Sequence, residues 1–166
     1  MRPADHPEFF RLPPPEGRSR ESSIVLDAEG RFFHEGAEVV HRGMKEAFAS
    51  WIARHPDNGR YILNNGYDWS YFRVDDAPFQ VTAVGFSESA VTLELSDGTV
   101  EPLNPSALRL GEQGALYAAV KSGAFEARFS RAAQLGLGPY LVEDAGRVFL
   151  QFGGKRLPLP MPSQKA

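Results

Sequence analysis

At 166 residues, 42% hydrophobic and 23% charged, the chain can bury a core as one domain or as two small modules. A formal charge of −3 argues against nucleic-acid polymers or anionic membranes held by net electrostatics. The absence of cysteine excludes disulfides, thiolate catalysis and cysteine-ligated metal, and no run approaches the ~18 apolar residues of a membrane helix. With no apolar signal-peptide core at the start, the expected location is the cytoplasm, without membrane insertion.

Residues 1–21 carry Pro13, Pro14 and Pro15 in succession and are expected to form an extended arm, pinned by Phe9 and Phe10 or free as a flexible leader. Residues 23–39 read as a hairpin, with an apolar strand, an Asp-Ala-Glu-Gly turn and an aromatic strand. A helix is expected over 42–54, because Met44, Ala47, Phe48, Trp51 and Ile52 fall on one stripe. No Ser, Thr, Asp or Asn caps its start, whereas Pro56 and the Asp57-Asn58-Gly59 turn end it.

The segment 60–84 holds an Asn-Gly turn signal, a dense aromatic strand and an Asp-Asp-Ala-Pro break. Alternation sends Ser70, Phe72 and Val74 to one side, partly core, and Trp69, Tyr71 and Arg73 to the other. Strands follow at 79–85 and 90–96, with Val91, Leu93 and Leu95 facing inward. Asp97-Gly98 signals a two-residue hairpin of type I′, with positive φ at both centre positions, and Pro102 marks the returning strand at 99–103 as an edge. A loop is expected at 104–113, a strand at 115–121 and a second helix at 124–135. That helix would bury Phe125, Phe129, Ala132, Ala133 and Leu135. A hairpin and a proline-bearing tail close the chain. The LDAEGRFFHEG stretch near the start echoes VEDAGRVFLQFGG near the end, and each copy neighbours a helix.

The candidate chemistry is recognition. Trp69, Tyr71 and Arg73 form a face on which rings can stack and a guanidinium can take phosphate, unless the face packs against another part of the fold. Lys121 and Arg128 bracket the expected second helix and, with Arg60, would bring positive charge to a cleft. Asp75 and Asp76 read first as a turn restricted by the following Ala-Pro, with one acid paired to an arginine; a ligand hydroxyl contact is the second reading and catalysis the third. His6, His34, His41 and His55 have no metal-ligand spacing. No nucleophile elbow, phosphate loop or dinucleotide fingerprint occurs, and the sequence names no cofactor.

The segment Val74-Asp75-Asp76-Ala77-Pro78-Phe79 resembles a V-(E/D)-D-A-P-F stretch of the bacterial domain-of-unknown-function 1285 (DUF1285) family. The likeness extends over about 23–152 through the LDAEGRFFHEG hairpin, the LSDG turn and LYAAVKSGAFEARFSR. The proline-rich arm and the compact 104–113 loop depart from it. The resemblance implies an α+β fold of two small modules with repeated hairpin and helix motifs. Its C-terminal module would be superficially pleckstrin-homology-like, a sheet plus a helix. It also implies a nucleotide-like ligand and a role in signal transduction.

The expected organisation is an arm at 1–21, an N-terminal α+β module at 22–77, a β-rich module with one helix at 78–160 and a tail at 161–166. The expected function is non-catalytic binding of a small anionic, nucleotide-like ligand in the cleft between modules. Arg60, Trp69, Tyr71, Arg73, Asp76, Lys121 and Arg128 are its candidate contacts. The alternative is a protein-interaction module that uses the aromatic face and the proline-rich arm. An enzyme built on Asp75 or Asp76 lacks a visible partner base.

Overall fold

A computed structural model describes residues 1–160; the tail expected at 161–166 lies outside the described residues. The chain divides into two units, Met1–Pro78 and Phe79–Ala166. The described residues are α+β and rich in sheet, with two six-stranded sheets and a three-stranded C-terminal sheet. No described helix is long and apolar enough to cross a membrane.

In the N-terminal unit the arm is neither extended throughout nor a free leader. It folds into 3-10 turns at Pro3–Asp5 and Pro7–Arg11, each opened by a proline that pre-sets φ and needs no N–H partner. The sheet then forms from β1 (Glu21–Leu26), β2 (Phe32–His34) and β3 (Ala37–Glu38), followed by helix α1 (Arg42–Trp51) and β4 (Ile52–Arg54), β5 (Tyr61–Asn64) and β6 (Trp69–Val74). Asp27 closes the β1–β2 turn by accepting from the backbone N–H groups of Glu29 and Arg31. Burial works against its charge, yet these bonds and the Arg31 guanidinium hold its carboxyl below the usual range.

The expected helix at 42–54 ends early, at Trp51. Ile52 already belongs to β4, where it pairs with Leu63. Of the expected stripe, Ile52 is buried and Ala47, Phe48 and Trp51 are half-buried, whereas Met44 is 49% exposed and Ala49, outside the stripe, is buried. The missing cap is supplied by His41, whose Nδ1 accepts from the Met44 N–H at 3.2 Å. Leu26, Phe32, Leu63 and Phe72 line the sheet's inner face. Phe48 of α1 meets Phe32 edge-on, with centroids 5.4 Å apart.

The C-terminal unit contains β7 (Phe79–Phe86), β8 (Val91–Leu95), β9 (Val100–Pro102), a 3-10 turn (Pro105–Ala107), β10 (Leu108–Leu110), β11 (Leu116–Val120) and β12 (Phe125–Phe129). Helix α2 (Arg131–Leu137) leads to β13 (Leu141–Asp144), β14 (Arg147–Phe152) and β15 (Lys155–Pro158). Val91, Leu93 and Leu95 are all buried, in line with their alternation, and β9 is an edge strand. The segment 104–113 is only partly loop, since β10 pairs with β11 within it.

The expected helix at 124–135 is the largest correction. Phe125–Phe129 is a strand, parallel to β7 and antiparallel to β11. Phe125 and Phe129 fit a helical spacing of four, but Phe125, Ala127 and Phe129 equally fit the period of two. Burial between β11 and β7 selects the strand. The helix starts after Ser130, whose Oγ accepts from the Ala133 N–H. It buries Ala133 and Leu137, whereas Leu135 is 70% exposed. Gly136 permits close docking on β7, because a Cβ there would stand 3.1 Å from Val84 Cγ2.

The repetition lies deeper than the echoed turn. The strand orders are β3-β2-β1-β6-β5-β4 and β10-β11-β12-β7-β8-β9. Each is two antiparallel three-stranded meanders joined by one parallel pair between the unit's first and sixth strands. Between third and fourth strands the first unit places α1 and the second only the turn at Pro105–Ala107. The structural counterpart of β1–β2 is therefore β7–β8. The echoed closing hairpin, β13–β14, belongs to the separate three-stranded sheet.

Candidate functional site

The aromatic side of β6 alternates as expected, but its Trp69 end is not an open surface. Trp69 is buried with Ile62 and Phe9, and Ala4, Phe10, Ala53 and Tyr71 pack around them. Its indole N–H donates to the Phe9 carbonyl at 3.3 Å. The Arg20 guanidinium covers the ring and donates to Asp68, to the Trp69 carbonyl and to the carbonyls of Leu12 and Pro13. His55 seals the same cluster. Its Nδ1 accepts from the Asp57 N–H, so Nε2 carries the proton and donates to the Phe10 carbonyl at 3.1 Å. A stacking role for Trp69 is thus unavailable while the arm is seated. Burying each such aromatic is worth about 2 kcal/mol.

Arg60 and Tyr71 do meet. The guanidinium lies 3.7 Å from the ring centroid and binds both oxygens of Glu21, while Asn58 donates to the Tyr71 hydroxyl. Donation to the Glu21 carboxylate holds the Arg60 pKa above its ordinary value. Arg73 is exposed and donates to Asp75 at 3.0 Å. Asp76 sits exposed at the bend between β6 and β7. These residues build a latticed surface whose cations are already matched by carboxylates.

In the C-terminal unit Lys121 and Arg128 do not bracket a helix. Lys121 opens the β11–β12 turn with φ +53°, in the left-handed region. Its ammonium reaches Asp97 at 2.8 Å and lies 5.0 Å from the Phe79 ring. Lys121 therefore ties the β8–β9 turn to the β11–β12 turn. Burial opposes the Asp97 charge, but bonds from Lys121 and Thr99 outweigh it and hold the carboxyl below the usual range.

Arg128 stands on β12, opposite Tyr117 of β11 and Gln80 of β7. It lines a groove of about 350 Å³ with Gln113, Phe129, Arg131, Gln134 and Leu135. The strand end and the first turn of α2 bring Arg128 and Arg131 to the same groove. Gln134 is fixed there, donating to the Gly114 carbonyl and accepting from the Leu116 N–H. Among the described residues, Arg131 makes no ion pair. Sequence reasoning missed Arg131, Arg20 and His55. Recognising Ser130 as a cap would have exposed Arg131; nothing local marks the other two. The described residues contain no group of three or more His, Asp or Glu placed to hold a metal ion.

No family model matches the sequence, and no curated protein does. Two solved structures share the fold. One is a DUF1285 family protein from Silicibacter pomeroyi DSS-3, with TM-score 0.66 and 22% identity, covering 93% of this chain and 86% of that one. The other is a DUF1285 family protein from Shewanella baltica OS155, with TM-score 0.58 and 18% identity, covering 73% of this chain and 94% of that one. The resemblance carried by Val74–Phe79 and its flanking motifs is therefore shown at the level of fold.

Proposed function

We propose that this chain is a binding protein rather than an enzyme. In this reading, its ligand is a small anionic, nucleotide-like molecule held in the Arg128–Arg131 groove. The observation that carries the reading is the Arg131 guanidinium, without an ion pair among the described residues, beside Arg128 in a groove of about 350 Å³. Such a volume falls in the range of small-molecule sites, about 300–1,000 Å³. Guanidinium forks suit phosphate oxygens, and exposed Leu135 offers an apolar wall to a base or ribose. Among the described residues the lining has two guanidiniums and two amides but no carboxylate or imidazole, a set suited to recognition. Binding without turnover suits a sensing role in signal transduction.

The interaction-module reading ranks second, because the Trp69 face is occupied by the chain's own arm. Calorimetric titration with nucleoside mono- and diphosphates and cyclic dinucleotides tests the choice. At least one is expected to bind, with Arg131→Ala weakening it tenfold or more and Arg131→Lys restoring part of the loss. A panel without binding, or affinity indifferent to Arg131→Ala, sinks the reading.

A further inference from the structure

A second cavity of the C-terminal unit has a different chemistry. It lies between the β7–β8 turn, the ends of β8 and β9, and the β14–β15 hairpin, and encloses about 470 Å³. Val91 and Leu150, 5% and 2% exposed, form its base. Leu103, Pro105, Phe152 and Leu157 complete apolar walls. Phe152 is held in place by Tyr140 and Phe86, whose rings stack at 4.3 Å. The lining also contains charges of both signs, Glu88 from the β7–β8 turn and Lys155 from the start of β15, with Ser89 beside Glu88.

Those two charges do not neutralise each other. Neither side chain makes a hydrogen bond or ion pair among the described residues. A carboxylate and an ammonium, both in the lining of an apolar chamber and unmatched there, complement a ligand carrying the opposite arrangement. Such a ligand combines an ammonium and a carboxylate with an apolar group. Each of its charges would gain a charge-assisted hydrogen bond, while its apolar part leaves water.

We propose that this cavity binds a free hydrophobic α-amino acid, with its carboxylate on Lys155, its ammonium on Glu88 and its side chain against Leu150 and Phe152. The volume admits one aromatic or branched amino acid. This site is separate from the Arg128–Arg131 groove and stands or falls independently of it.

Calorimetry on the full chain with L-tryptophan, L-phenylalanine and L-leucine provides the test. Tryptamine, which lacks the carboxylate, and indole-3-propionate, which lacks the ammonium, serve as single-charge comparators. The amino acid is expected to bind at least tenfold more tightly than either comparator. Lys155→Ala should bring L-tryptophan down to the level of tryptamine, and Glu88→Ala to that of indole-3-propionate. Both positions are exposed, so the variants should keep the native melting temperature, and Arg131→Ala should leave amino-acid binding unchanged. Absence of binding by all three amino acids overturns the assignment. So does equal affinity for amino acid and comparators, or unchanged affinity in both variants.

Discussion

The Arg20 guanidinium lies 4.4 Å from the centroid of the Trp69 ring. From there it bonds two carbonyls of the arm and, on the sheet side, Asp68 and the Trp69 carbonyl. One side chain therefore staples the arm to the aromatic face of β6. Arg20→Ala should destabilise the N-terminal unit by about 2 kcal/mol, through lost charge-assisted bonds and lost cover over the indole. Phe9→Ala, which empties a buried site, should cost about 3 kcal/mol. Urea denaturation followed by Trp69 fluorescence in a Trp51→Phe background measures both. Unchanged midpoints would mean that the arm contributes nothing.

The Asp97–Lys121 pair sets an acid dependence in the C-terminal unit. Asp97 titrates lower in the folded chain than in the unfolded chain, where an aspartate pKa is about 3.9. As pH falls through this interval, the unfolded chain takes up the proton first, so acid favours unfolding. The contribution is fully present above about pH 5 and is lost as pH falls through the native value. Melting temperatures between pH 2 and 6 should therefore fall less steeply for Asp97→Asn than for the parent chain. Parallel curves would remove Asp97 from this account.

Ser130 decides where strand gives way to helix. Ser130→Ala removes the acceptor for the Ala133 N–H and should cost about 1 kcal/mol, with Ser130→Asp tolerated. Chemical denaturation of both variants checks the difference. Equal destabilisation by the two would point to packing instead of capping.

What was legible in the sequence had local physical causes. The alternation of Val91, Leu93 and Leu95 was enough for β8, and Pro102 for the edge strand after it, whereas the turn spans Ser96, Asp97 and Gly98 with positive φ at Gly98 alone, not the two-residue type I′ form. The alternation of Trp69, Tyr71 and Arg73 was legible too, but what covers Trp69 was not, because Phe9 and Arg20 reach it from far along the chain. Phe125 and Phe129 satisfy two periods at once, and only their place between β11 and β7 separates strand from helix. That misreading also misplaced Arg128 and hid its neighbour Arg131. The shared strand order of the two units was invisible, since it resides in pairing and not in repeated residues.

The central claim is that an anionic ligand engages Arg128 and Arg131. Its most direct test is NMR of the arginine Nε–Hε groups during titration with guanosine monophosphate, cyclic di-GMP and inorganic phosphate. Signals are assigned by Arg→Lys variants at positions 60, 73, 128 and 131. Saturable shifts are expected at Arg128 and Arg131, tighter for a nucleotide than for phosphate, with Arg60 and Arg73 still. Shifts confined to Arg60 and Arg73, or no saturable shift at Arg131, would contradict it.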